Sequence, residues 1–146
     1  MSSDAQKVRL ALDAMGGDNA PACVVRGADI ACGEHKHLDI TFYGDEARIR
    51  PLLDRSKHLA DARVVHTPDA VSPDDTASQA VRRGKGTSMW MSIASVEDGS
   101  ADAVVSAGNT GALMAMSKLQ LRTMPGVTRP AIAAFFPTVE IGRAHV

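Results

Sequence analysis

Aromatic residues are scarce in this chain: one Trp, one Tyr and three Phe, 3% of 146 residues. Hydrophobic residues nevertheless make up 45%, so the core has to be aliphatic, built from Ala, Val, Leu, Ile and Met. Charge bias is missing as well. The formal net charge is -1, with 16 basic against 17 acidic residues, whereas a nucleic-acid-binding domain carries a clustered basic excess. No apolar run approaches the roughly 20 residues that span a bilayer. The stretch "MSSDAQKVRLALDAMGGDNA" lacks the basic-then-apolar order of a secretory signal, and a cytoplasmic protein is expected. Cysteine is nearly absent. Cys23 and Cys32 fall on opposite faces of a predicted helix, at about 100° per residue, so they suit neither a mutual disulfide nor a common zinc spacing. His35 and His37 lack companion ligands, and no metal site is expected.

What the sequence does have is alternation. "VRLALDA" reads as a buried strand, followed by the glycine turn "MGGDNAP" and a helix from Pro21 to about Glu34, with Asn19 as its cap. "LDITFYG" is a second strand. "DEARIRPLLDRSKHLA" is helical in pattern, with Pro51 expected to kink it or mark a new start. "ARVVHT" is a third strand, and a short helix follows near Thr76 to Arg83. "TSMWMSIASVEDG" reads as a helix capped by Thr87 or Ser88 and stopped by Gly99. "DAVVSAG" is a fourth strand, with a helix from Asn109 or Thr110 to about Arg122. Ala131 to Phe136 reads as a fifth strand. Strands alternating with helices predict an α/β fold. Its sheet should be parallel, mixed at most at an edge, with helices on both faces. The apolar runs "VVSAG" and "AIAAFF" suit such strands. The closing residues "EIGRAHV" carry neither pattern. Glu140 to Val146 therefore reads as a non-native tail on a truncated frame, with a C-terminal half missing.

Two turns carry the candidate chemistry. In "VVSAGNTGALMA" a strand ends at Ser106 and a helix starts two or three residues later. Ligands of open α/β sheets sit at the carboxyl ends of strands. Gly108 permits positive φ or a close approach. Asn109 or Thr110 can cap the helix, and its first-turn N–H groups and dipole favour an anion. Gly111, without a Cβ, leaves room beside it. A plain connecting turn is the alternative. The first turn, "DAMGGDNAP", repeats the theme: Gly16 and Gly17 tighten it, and Asp13 and Asp18 add carboxylates. It is not the dinucleotide fingerprint, so a nicotinamide cofactor is unsupported. It also fits a structural turn with solvated acids. In "RRGKGTS", Arg82, Arg83 and Lys85 form a basic cluster that suits either an acidic partner or a solvated face.

The two glycine motifs, in this order and spacing, together with "GVTRPAIAAFFPT" and the "SQAVRRGKGTSMW" segment, resemble the N-terminal half of the phosphate acyltransferase family, PlsX. The resemblance runs from about Val8 to Thr138, so residues 1–139 are expected to be the N-terminal part of such an α/β domain. It implies a fold like that of phosphotransacetylases and isocitrate/isopropylmalate dehydrogenases. It implies transfer of a long-chain fatty acyl group from acyl carrier protein to inorganic phosphate, for bacterial phospholipid synthesis, with no cofactor. It also implies a homodimer able to associate peripherally with the membrane. On this resemblance Ser106, Asn109 and Thr110 are candidate catalytic, phosphate-binding residues. Gly108, Gly111, Gly16, Gly17, Asp13 and Asp18 shape the substrate site, the carboxylates by orienting the turn or a basic partner. Arg82, Arg83 and Lys85 are candidates for docking the carrier. A coenzyme A-dependent short-chain phosphotransacetylase and a non-catalytic anion-binding module are the rival readings. The truncated chain itself is expected to be inactive.

Overall fold

The computed structural model describes residues 7–133. Its elements are β1 (Val8–Asp13), α1 (Ala22–Glu34), β2 (Leu38–Gly44), α2 (Glu46–Leu53), β3 (Arg63–His66), α3 (Ala77–Arg83), α4 (Ser88–Glu97), β4 (Ala103–Val105) and α5 (Thr110–Leu121). The four strands form one sheet in the order β3-β2-β1-β4, and every pairing is parallel. The chain thus steps outward from β1 to β3, then returns to place β4 on the other side of β1.

Alternation along the strands sorts their side chains to two faces. Leu12 of β1 and Ile40 and Phe42 of β2 meet Val25 and Ala28 of α1 and Ile49 and Leu53 of α2. On the opposite face Ala11 and Tyr43 pack with Ala101 against Met91 and Val96 of α4. Behind α4, Ala80, Met89, Ile93, Ala112 and Met116 join α3, α4 and α5. Helices therefore cover both faces, and the core is aliphatic apart from Phe42 and Tyr43.

Side-chain caps set four helix starts: Asp45 accepts from Ala47 N–H at the start of α2, and three more follow. Thr76 and Gln79 form a reciprocal capping box on α3, Thr87 caps α4, and Asn109 caps α5. Gly99, at φ +78°, follows the end of α4. Elsewhere the structure departs from the sequence pattern. Asn19 does not cap α1 with its side chain: Pro21 holds the N-cap position without a side-chain bond, and Asn19 contributes only its carbonyl, to Cys23 N–H. The second helix runs through Pro51 and stops at Leu53, well short of Ala60. Pro51 is the sixth residue of that helix, so only the Ala47 carbonyl loses an intrahelical donor. β4 is a three-residue edge strand with Val105 51% exposed, rather than a fully covered one. Of the expected fifth strand, Ala131 to Ala133 are not in a strand. Its remainder and the expected non-native tail lie outside the described residues. Cys23 is exposed and Cys32 half-buried.

A clasp ties β4 to β1 at their N-terminal ends. Arg9 N–H donates to Asp102 Oδ2 at 2.8 Å, Arg9 Nη2 to Asp102 Oδ1 at 2.6 Å, and Asp102 N–H to the Arg9 carbonyl at 2.8 Å. Hydrogen bonds from the Arg9 side chain and backbone hold the Asp102 carboxyl below its ordinary range. An acid depressed in the folded state stabilises it above the unfolded-state pKa, about 4 for Asp, and stops doing so as pH falls through the folded value. Asp102→Asn is therefore expected to lower Tm at neutral pH, with the gap from the parent closing as pH drops below about 4. A gap that stays constant in scans from pH 7 to pH 3 would count against the clasp.

Candidate functional site

β1 and β4 are parallel neighbours whose following helices pack on opposite sides of the sheet, α1 with β2 and α5 with α4. Such a switch in winding direction opens a crevice beyond the carboxyl ends of the two strands. Both glycine turns fall in that crevice. Asp13, the last residue of β1, is 1% exposed and anchors the two. Its Oδ2 accepts from Ser106 Oγ at 2.7 Å, and its Oδ1 accepts from Ser88 Oγ at 2.6 Å and from Met15 N–H at 3.3 Å. Ser106 Oγ in turn accepts from Gly108 N–H at 3.1 Å. The turns also meet backbone to backbone. A Cβ on Gly16 would lie 2.6 Å from Asp13 Oδ2, 2.8 Å from Gly108 N and 2.9 Å from Ser106 Oγ. Gly17 has φ +98°, a left-handed value that side chains resist.

Asn109 uses both ends of its amide. Its Oδ1 accepts from Ala112 N–H at 3.0 Å, capping α5. Its Nδ2 donates to the carbonyls of Asp75 at 2.9 Å and Pro73 at 3.1 Å, tying the loop after β3 to the helix. Thr110 is exposed as the first residue of α5, and Gly111 beside it is half-buried. The backbone N–H groups of Asn109, Thr110 and Gly111 have no acceptor among the described residues, and neither do those of Gly17 and Asp18.

These segments line a cleft of about 620 Å³ bounded by Gly17, Asp18, Arg48, Pro73, Gly108 and Asn109, among others. Arg48 was not singled out from sequence. It projects from α2, which opens directly after the carboxyl end of β2, and its Nη2 donates to the Ala20 carbonyl at 3.2 Å. Its position just after a strand end is the sequence signal that marks it. Ser88 was likewise read only as a helix start, although it is buried on Asp13. Arg82, Arg83 and Lys85 are exposed at the end of α3 and do not line the cleft. Arg82 instead borders a shallow hollow with Ala77, Val81 and Ala115. A second cavity, about 570 Å³, lies over Thr41 and Tyr43. Its arginines are already engaged: Arg9 by Asp102, Arg50 by Glu46 and Arg63 by Asp39.

Sheet order and cleft together are those of a doubly wound α/β protein, with amides at its switch point that have no acceptor among the described residues. A family profile described as "Fatty acid synthesis protein" matches residues 8–146, and the chain belongs to that family. It is similar to the phosphate acyltransferase of Rhodospirillum centenum, 58% identical over 131 residues, which cover 89% of this chain and 37% of the relative. Phosphate acyltransferases of Azorhizobium caulinodans and Bradyrhizobium diazoefficiens are 54% and 55% identical over 134 residues, 90% of this chain and 38% of each relative. The chain thus spans a little over a third of the length of these relatives. No helix among the described residues is long and apolar enough to cross a membrane.

Proposed function

We propose that the full-length protein containing this chain transfers a long-chain fatty acyl group from acyl carrier protein to inorganic phosphate, giving an acyl phosphate for bacterial phospholipid synthesis. The observation that carries this reading is the set of N–H groups at Asn109, Thr110, Gly111, Gly17 and Asp18 that have no acceptor among the described residues, with Gly17, Asp18 and Asn109 lining one cleft. Amides at a helix N-terminus favour a bound anion. The relatives, named phosphate acyltransferases, point to phosphate as the acyl acceptor. Phosphate is itself the nucleophile, so the protein need only hold it against the thioester and stabilise the oxyanion.

Geometry divides the roles. Asn109 spends its side chain on the cap and the loop, so phosphate is met by main-chain amides that Asn109 positions. The Thr110 hydroxyl, exposed at the same helix start though not in the cleft lining, is assigned as a further donor. Ser106 holds Gly108 through its hydroxyl, and Asp13 holds Ser106. The exposed Arg82, Arg83 and Lys85 patch, outside the cleft, is assigned to the acidic carrier.

The test is an assay of the full-length protein with phosphate and either long-chain acyl carrier protein or acetyl-coenzyme A. Phosphate-dependent consumption of the first is the expected result, and preference for the second would replace this reading with a phosphotransacetylase. The 146-residue chain alone should be inactive. Asn109→Ala should raise the KM for phosphate roughly tenfold or more, since each ~1.4 kcal/mol of lost binding is a factor of ten. An unchanged KM would remove Asn109 from the site.

A further inference from the structure

An unpaired carboxylate beside an anion seat is electrostatically unfavourable, yet the cleft holds one. Asp18 follows Gly17 in the first turn and is exposed. Its carboxylate makes no ion pair or hydrogen bond among the described residues. Asp13, five residues earlier, is the opposite case: it is buried, with both oxygens engaged. The ionisable groups lining the cleft are Asp18 and Arg48. Arg48 is partly held by the Ala20 carbonyl, to which its Nη2 donates. The loop of Ala70 to Pro73 and the turn of Gly108 and Asn109 bring no further ionisable group to the lining. His66, at the end of β3, is outside it, its Nδ1 accepting from Glu46 N–H.

Resting on the acyl-transfer reading above, we propose that Asp18 is the proton-exchange residue of the reaction. An oxygen of hydrogen phosphate forms a bond to the thioester carbonyl carbon, and the carbon–sulfur bond breaks. The proton carried by the phosphate passes to the Asp18 carboxylate and from there to the departing thiolate. Products are the acyl phosphate dianion and the free thiol, so atoms and charge balance without another reactant. The repulsion between Asp18 and phosphate is what this role costs in binding.

A kinetic split in the full-length protein tests it, because an anion ligand and a proton carrier fail differently. Asp18→Asn keeps shape at an exposed position and removes one negative charge. It should lower kcat by about a hundredfold or more, the usual contribution of a positioned acid–base group. The KM for phosphate should stay level or fall as repulsion is relieved. Asp18→Glu should recover much of kcat. A kcat for Asp18→Asn within threefold of the parent, or a defect confined to a raised KM, would overturn the assignment while leaving the acyl-transfer reading intact. A parent rate indifferent to phosphate would overturn both.

Discussion

Asp13→Ala is expected to lower the free energy of unfolding by about 2–4 kcal/mol, as each buried polar group left without a partner costs about 1–3. In the full-length protein it should also remove most phosphate-dependent activity. Three donors converge on this one carboxylate: the hydroxyls of Ser88 and Ser106 and the Met15 N–H. They come from the start of α4, the end of β4 and the first turn. Deleting the carboxylate unties the two turns and loosens the start of α4 together. Serine hydroxyls can rotate to new acceptors, which holds the loss below a simple sum over three donors. Asp13→Asn keeps the volume and one acceptor oxygen but turns an NH2 toward a serine, which must then accept rather than donate. Its cost should be the smaller of the two. Urea denaturation of the 146-residue chain measures the first effect, and steady-state kinetics of the full-length protein the second. An Asp13→Ala midpoint equal to the parent's would mean that the network contributes no stability.

Gly16→Ala carries the other large expectation. The added methyl would lie within 3 Å of Asp13 Oδ2, Gly108 N and Ser106 Oγ, and one of those is backbone that cannot swing away. Overpacking of this kind costs about 1–3 kcal/mol. The functional effect should be larger than the stability effect. Moving Gly108 moves the amides that follow it, which are proposed to hold phosphate, so the KM for phosphate should rise by a factor of ten for each ~1.4 kcal/mol of binding lost. Gly27→Ala is the control. A Cβ there meets nothing within 4 Å, and the residue lies inside α1. Alanine should stabilise that helix by about 0.5–1 kcal/mol. Equal midpoints for the two variants would show that the crowding at Gly16 is relieved by small shifts.

Much of this architecture was legible because it is written locally. "LDITFYG" is a strand with the same bounds in sequence and structure, and Thr87 and Asn109, each one of two cap candidates, cap their own next turn. The placement of both glycine turns at one end of the sheet followed from strand–helix alternation alone. What escaped is non-local. Asp13 reaches Ser88 and Ser106 across 75 and 93 residues of chain, so its burial leaves no mark on the residues around it. A lone Asp at a strand end reads equally well as solvated. Asn19 has the chemistry of a cap, yet Pro21 takes the position, because the turn leads in from a proline rather than from a side-chain oxygen. Arg48 joins the cleft only because β2 lies next to β1, a pairing the sequence around Arg48 does not show. The short, exposed β4 reflects its place at the rim of the sheet, which apolar composition cannot report.

The divided amide of Asn109 has a consequence for chemical ageing. Hydrolysis of that side chain to a carboxylate would leave the helix start content, since aspartate caps as well as asparagine. The two carbonyls of Pro73 and Asp75 would then face oxygen instead of nitrogen. The loop would be pushed off, and a fixed negative charge would occupy the edge of the anion seat. A deamidated molecule would therefore keep its helix start, lose the tie to the loop, and carry a fixed negative charge where phosphate is proposed to bind.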